Sequence, residues 1–143
     1  WADVAFGFLV FATMGAPTAL TWLAFLASSV VVSIFFKSFT VLWQSLTFFI
    51  GNSESLASQM DNAFIHFATY PTDIFDGWTR VLLFTLIPAG FVSYVPVYIL
   101  RMLSWHNLFL TALASLALAS IAVFVFRVGL RRYESGNLIG TRL

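Results

Sequence analysis

The 143-residue chain has no cysteine, a single lysine and few charged residues of any kind, which together make up 9% of the sequence. Without cysteine the chain has neither a disulfide framework nor a thiolate metal site. A net charge of +1 is too small for electrostatic capture of a nucleic acid. Typical soluble domains carry about 25% charged residues. The scarcity of charge therefore excludes a nucleic-acid binding protein, a disordered chain and an ordinary soluble enzyme.

Apolar residues are what the chain has in abundance. Hydrophobic residues make up 60% and aromatic residues 18%, and the mean hydropathy is +0.92. A water-soluble globule of this size cannot bury so much apolar surface, because its surface is large relative to its volume. In lipid each backbone must satisfy its own hydrogen bonds, so helices are expected. The composition predicts an all-α, polytopic membrane protein embedded in the lipid bilayer.

Long uncharged runs separate the charged residues. These runs are residues 4–36, 38–53, 81–100 and 102–126. A bilayer core needs about 20 apolar residues of helix, and residues 107–126 are the clearest candidate, predicted as the last membrane helix. Arg127, Arg131 and Arg132 follow it at once. The positive-inside rule predicts that residues 127–143 form a cytoplasmic tail anchored by these arginines.

Small residues recur every four positions within the last predicted helix, at Thr111, Ser115 and Ala119. Small side chains at this spacing allow two membrane helices to approach closely. Alanine and serine are also common in membrane helices for no such reason. The pattern therefore leaves helix packing and chance as alternatives.

The first third of the chain holds one break, at Gly15–Thr18, because Pro17 disfavours helix at the residue before it. Residues 1–16 are predicted as the remnant of a truncated helix, and residues 18–70 as membrane helices. The helix that starts near Thr18 either stops at Lys37 or carries this lysine and continues to Ile50. The apolar start at Trp1 is expected of a fragment of a longer protein.

Polar residues accumulate between residues 51 and 70, where the sequence reads GNSESLASQMDNAFIHFATY. Apolar residues still fall on one helical face of this segment. Polar residues at membrane depth usually face protein or a water-filled cavity. The segment is therefore either a helix that lines a pathway or an exposed helix outside the membrane. The candidate pathway-lining residues are Glu54, Gln59, Asp61 and His66.

Prolines interrupt the uncharged run 81–100, which contains Pro88, Gly90 and Pro96. Each interior proline removes a backbone hydrogen bond and bends a helix. Residues with interface character, such as Trp78 and Trp105, flank the run on both sides. Either a kinked single span or two short helices that enter and leave through the same membrane face would explain the pattern.

Motifs for catalysis are absent from the sequence. It contains no GxxxxGK[ST], HExxH or GxSxG motif. His66 and His106 have no acidic residues at metal-site spacing. Asp73 and Asp76 are better explained as capping or salt-bridge residues than as an acid–base pair. We therefore expect no catalytic residue, no metal site and no cofactor site, and an intramembrane enzyme has little support.

The second half of the chain resembles a known family. The residues that carry the resemblance are Phe48–Asn52, Phe67–Pro71, Ile74-Phe75, Gly77-Trp78, Ile87–Val97 and Gly129–Asn137. Their order and spacing resemble the six-helix membrane subunits of bacterial ATP-binding-cassette exporters of the type 2 class. Residues 1–44 fit this family by hydropathy alone.

The resemblance implies a helical bundle with a re-entrant hairpin at residues 72–100, before the last membrane helix. The residues expected to form this gate are Tyr70, Pro71, Pro88, Gly90, Tyr94 and Pro96. It also implies that the chain is the C-terminal half of a multi-pass permease in the bacterial cytoplasmic (inner) membrane. Such a permease is not itself an enzyme, because ATP is bound and hydrolysed by a separate ABC ATPase subunit.

The resemblance further implies that the pathway forms between two permease subunits, as a homodimer or a heterodimer. The main coupling helix to the ATPase belongs to the other half of such permeases. The alternative function is a membrane structural or assembly protein without a transport role, which the small residues of the last helix would serve.

Overall fold

The computed structural model describes residues 2–13, 15, 17–50, 54–70, 76–85 and 88–140, and every regular element in them is a helix. The helices are α1 (Ala2–Thr13), α2 (Ala19–Ser45), α3 (Thr47–Ile50), α4 (Glu54–Thr69), α5 (Trp78–Thr85), α6 (Gly90–Met102) and α7 (Trp105–Gly140). Two segments, Ala19–Ile50 and Trp105–Arg132, are long and apolar enough to cross a membrane. Only 17% of the most apolar window of each is buried, unlike the core helices of soluble proteins. The predicted all-α membrane protein is confirmed.

The break between α1 and α2 lies at the predicted glycine and proline. Gly15 has a φ of +104°, which a residue with a side chain rarely adopts. Thr18 then caps α2, since its Oγ1 accepts a hydrogen bond from the backbone N–H of Thr21 at 3.3 Å. Phe8 and Phe11 of α1 pack on Trp22 and Phe25 of α2. Aromatic contacts therefore fold α1 back onto the start of α2.

Helix α2 does not end at Lys37 but continues to Ser45, and α3 follows after a turn at Leu46. Lysine is a good helix former, and no glycine or proline occurs between Pro17 and Gly51. One charged residue therefore leaves the helix intact. Of the two alternatives, the structure has the helix that carries Lys37.

Helices α2 and α7 form the most extensive helix pair and run parallel. The Ser115 hydroxyl of α7 lies 3.2 Å from the Val31 carbonyl oxygen of α2, and further along Phe126 contacts Phe48. Of the predicted small residues, Thr111 and Ser115 are buried and Ala119 is half-buried, and the two hydroxyls also donate to carbonyl oxygens of their own helix. The small residues of α7 therefore serve packing within the chain, on α2.

Helices α4 and α6 run antiparallel to α2. The Phe64 ring of α4 packs on Phe36 and Phe39, with ring centroids 5.3 and 4.6 Å apart. The Phe91 ring of α6 stacks on Phe35 at 5.0 Å. Buried Phe39, Phe64 and Ala89 form the core cluster on which the neighbouring half-buried side chains pack. This cluster joins α2, α4 and the start of α6.

The run 81–100 is divided between two short helices. Helix α6 has 13 residues, about 20 Å at 1.5 Å per residue, whereas a bilayer core is about 30 Å thick. It begins beside the core cluster, where Pro88, Ala89 and Gly90 are buried. Its end is closed by Leu103 in the left-handed conformation with a φ of 46°. Helix α7 follows directly and continues past residue 126 to Gly140.

Candidate functional site

Helix α4 has one apolar face against the protein and one polar face that the chain leaves open. Ala57 and Phe64 are buried, and Met60, Ala63 and Phe67 are half-buried. The exposed residues include Ser55, Ser58, Gln59, Asn62, His66 and Thr69. Gln59, Asn62 and His66 make no side-chain hydrogen bond to the part of the chain that the structure describes. Their polar groups are therefore open to water, cargo or another chain.

Helix α2 carries a second open polar strip. Ser29, Ser33, Lys37 and Gln44 are all exposed. Their spacing of four, four and seven residues places them on one face of the helix. The Ser29 and Ser33 hydroxyls donate to carbonyl oxygens one turn earlier, at 2.8 and 2.7 Å, which lowers the cost of placing them in an apolar helix.

A hydrogen bond joins the two polar faces. Gln44 Nε2 of α2 donates to Asp61 Oδ2 of α4 at 3.2 Å. The polar strip of α2 therefore meets the polar face of α4 where Gln44 and Asp61 face each other across the seam between the helices. We call this surface the polar wall, which consists of Ser29, Ser33, Lys37, Gln44, Asp61, Asn62, His66 and Thr69.

The polar wall extends from the membrane edge into the apolar region. Gln44 lines a pocket together with Phe126 of α7, and the adjacent Arg127 ends the long uncharged run of that helix. Lys37 lies seven residues before Gln44 on α2, about 10 Å deeper. A lysine at the centre of a membrane helix costs about 2.5–3.5 kcal/mol, so such residues usually face a cavity or a partner.

A polar pocket of about 450 Å³ lies at the shallow end of the polar wall. It is lined by Gln44 and Thr47 on one side and by Ala57 and Ser58 of α4 on the other. The pocket is open, and it lies next to the Gln44–Asp61 hydrogen bond. The polar wall thus begins in a water-accessible recess at the membrane edge.

The predicted pathway-lining residues occupy α4 as the sequence places them. Asp61 is half-buried and bonded to Gln44, whereas Gln59 and His66 are exposed. His66 follows Phe64 by two residues, and the Phe64 ring packs on Phe36, so His66 lies near the depth of Lys37. Glu54 begins α4, but its side chain is outside the described part of the structure. All four residues thus lie along α4, and the side chains of three of them are described.

The predicted gate residues fall in two places. Pro88 and Gly90 are buried at the start of α6. Tyr94 is exposed and stacks on Tyr98 with centroids 6.3 Å apart, and half-buried Pro96 lines a pocket of about 200 Å³ between α6 and α2. Tyr70 is exposed immediately after α4. Pro71 lies outside the described residues.

The predicted anchor arginines are all exposed on α7. The guanidinium carbon of Arg132 lies 5.8 Å from the centroid of the Phe49 ring of α3, within the range of a cation–π contact. Arg127 and Arg131 lie on the same stretch of helix. The three side chains thus form a basic end to the apolar span.

The described residues hold no group of three or more histidine, aspartate or glutamate side chains that could bind a metal ion. His66 and His106 lie on different helices, α4 and α7.

Sequence reasoning missed the polar strip of α2. Residues 18–50 are so apolar on average that the serines and glutamine within them do not lower the hydropathy noticeably. The four-residue spacing of Ser29, Ser33 and Lys37 was the available signal, because it places them on one face. Their connection to α4 depends on contacts between helices, which the spacing does not reveal.

Comparison with models of protein families gives a match to most of the chain. A family model described as ABC-2 family transporter protein matches residues 2–137. No curated protein and no solved structure is similar to the chain. Nearly the whole chain fits the family model, including the helices that form the polar wall. The chain therefore belongs to the ABC-2 family of transporters, as a membrane permease of a kind that associates with an ABC ATPase.

Proposed function

We propose that the chain forms the translocation pathway of an ATP-driven exporter in the bacterial cytoplasmic membrane. Two permease subunits, identical or different, would enclose the pathway and stand on separate ATPase subunits. ATP binding and hydrolysis then belong to the partner chains, and this chain performs no chemistry. Its part is to expose a polar route to the cargo, first on one side of the membrane and then on the other.

The observation that carries this proposal is the polar wall. A helix surface in contact with lipid tails is apolar, whereas this one has hydroxyl, amide, imidazole and ammonium groups at membrane depth. Gln44 and Asp61 join the polar groups of the two helices, and the core cluster packs these helices together. A water-filled pathway between two permease subunits would solvate them.

The short helices α5 and α6 support a gate at the outer end of that pathway. Helix α6 is too short to span, starts next to buried Ala89 and ends next to α7. A hairpin that enters and leaves through one face has this geometry. Irregular backbone at membrane depth is tolerated where protein covers it, as the core cluster does here.

The basic end of α7 supports a cytoplasmic C-terminus. Arg127, Arg131 and Arg132 lie at the end of α7 that is remote from the α6–α7 turn. Under the positive-inside rule this end faces the cytoplasm. The α6–α7 turn then faces outward, and the pocket at Gln44 and Ser58 opens toward the cytoplasm. Cargo would enter the polar wall there.

A structural or assembly role without transport was favoured by the small residues of α7, and the packing of these residues removes that support. The small residues of α7 would have been its docking surface for another membrane helix. Thr111 and Ser115 are instead buried on α2 of the same chain. They are therefore not available to a partner.

Affinity purification of the natural permease in a mild detergent tests the proposal. We expect a stoichiometric ATPase subunit with a P-loop to copurify, and the purified complex to hydrolyse ATP. Two permease copies per complex, measured by mass photometry, would fit the enclosed pathway. Loss of the ATPase, under conditions where a control exporter stays intact, would contradict the exporter function.

A further inference from the structure

We propose that Lys37 binds the anionic headgroup of an amphipathic cargo that enters the polar wall from the cytoplasmic leaflet. This inference rests on the proposed exporter function and names the class of its cargo. The juxtaposition that carries it is a lysine on a polar strip at membrane depth, beside an exposed apolar strip of the same helix.

The ammonium group of Lys37 lies close to the aromatic ring of the preceding residue. Its Nζ lies 5.9 Å from the centroid of the Phe36 ring, the side chain of the residue before it. Side chains on a helix lean toward its N-terminus, which for Lys37 is the direction away from Gln44 and the membrane edge. The ammonium group therefore has a cation–π contact close to the depth of Phe36.

No carboxylate within the described part of the chain neutralises Lys37. Among the acidic side chains that the structure describes, Asp61 accepts a hydrogen bond from Gln44, two helical turns from Lys37. Asp76 is exposed and lies beyond the far end of α4. An exposed ammonium group that pairs with neither of these two described carboxylates is suited to a phosphate or carboxylate from outside the chain.

The surroundings of Lys37 suit a ligand that is polar at one end and apolar at the other. Ser33 lies one turn away on the polar strip. The neighbouring strip consists of Val30, Ile34 and Val41, which are 60%, 37% and 38% exposed. A headgroup at Lys37 would thus place its acyl chains along these side chains. A small hydrophilic anion would leave that apolar strip uncovered in the pathway.

Binding of two fluorescent phospholipids to the purified permease–ATPase complex tests the inference. The probes are phosphatidylglycerol, which is anionic, and phosphatidylcholine, which is zwitterionic, with identical labelled acyl chains. K37Q removes the charged partner of the headgroup and the charge-assisted hydrogen bond between them. It should therefore raise the Kd for phosphatidylglycerol roughly tenfold. K37R should keep most of the affinity, and the Kd for phosphatidylcholine should not change.

R101Q is the matched control, because it also removes one exposed positive charge but lies on α6, outside the polar wall. It should bind both probes as the unsubstituted complex does. An equal loss of affinity for phosphatidylglycerol in R101Q would mean that the effect comes from general surface charge. An equal loss of affinity in K37R would mean that the shape of the side chain matters rather than its charge. Either result overturns the inference.

Trapping the complex with ATP and vanadate separates cargo from a resident lipid. A cargo site should lose affinity for phosphatidylglycerol in the trapped state, whereas an unchanged Kd would indicate a resident lipid and contradict the inference. Dissociation of the two permease copies in K37Q would assign the lysine to the subunit interface and also contradict it. An active ATPase complex with unaltered binding in K37Q would refute this inference alone, whereas absence of the ATPase would refute the exporter function.

Discussion

Gly129 marks the closest approach between α7 and α3. A Cβ at this position would lie 2.6 Å from Cδ2 and 2.9 Å from Cβ of Phe48. Phe48 Cβ cannot move without its backbone, so the side chain cannot simply rotate away. Overpacking should cost about 1–3 kcal/mol, and the gain in helix propensity returns about 1 kcal/mol, so we expect Gly129→Ala to destabilise the protein by up to about 2 kcal/mol.

The matched control for this substitution is Gly7→Ala in α1, where a Cβ would meet nothing within 4 Å. It should leave the thermal midpoint of the purified protein unchanged or raise it, whereas Gly129→Ala should lower the midpoint. A Gly129→Ala protein that melts at or above the temperature of Gly7→Ala would show that α3 shifts freely. The contact of α3 with α7 would then not be a tight constraint.

At the scale of elements, the sequence predicted the helices better than their ends. The break at Gly15–Thr18 could be predicted because proline and a capping threonine act locally. The continuation of α2 through Lys37 could not be decided, since the helical backbone tolerates a charge whose cost depends on what surrounds it. The division of residues 81–100 was left open for the same reason. Pro88 and Pro96 predict a bend in either case, and only the buried contacts of Ala89 fix where α6 starts.

The prediction at the scale of elements concerns the proline inside helix α6. Pro96 cannot donate a hydrogen bond to the Val92 carbonyl oxygen, and both residues line the pocket between α6 and α2. Pro96→Ala restores a donor worth about 1 kcal/mol to the helix, which would bias a hinged gate roughly fivefold toward its straight form. We expect ATP-dependent export in proteoliposomes to fall, while the amount of protein inserted in the membrane stays unchanged. Pro88 precedes α6, so Pro88→Ala restores no helix hydrogen bond, but it releases the backbone angle that proline fixes there, and we expect export to fall for that reason.

Pro17→Ala is the control for this prediction, because Pro17 lies in the α1–α2 connection and outside the hairpin. Export by this variant should match that of the unsubstituted protein. Normal export by both Pro96→Ala and Pro88→Ala would refute the role of α5 and α6 as a gate. A loss of inserted protein in all three variants would instead assign the prolines to folding.

At the scale of the whole molecule, the arrangement of helices determines which polar residues act together. Asp61 and His66 stood out in the sequence because they interrupt an apolar composition. Ser33 and Gln44 did not, although they belong to the same polar wall. Whether two strips of polar residues join depends on the rotation of α2 against α4, which the Phe36, Phe39 and Phe64 contacts set. Hydropathy averages along the chain carry no information about that rotation.

At the scale of the whole molecule, we predict which ends of the helices face the cytoplasm. Helices α2 and α7 run parallel, so the end of α6 and the basic end of α7 lie on opposite sides.

This chain has no cysteine, so each one introduced is a unique label within it. In intact cells, a membrane-impermeant maleimide should label Met102→Cys, whose position is 66% exposed at the end of α6. It should label Ser135→Cys only after permeabilisation, because the positive-inside rule places the arginine-rich end in the cytoplasm. The unsubstituted protein gives the background. Labelling of Ser135→Cys in intact cells would show that the protein has the opposite orientation in the membrane. The pocket at Gln44 and Ser58 would then be an exit for cargo instead of its entrance.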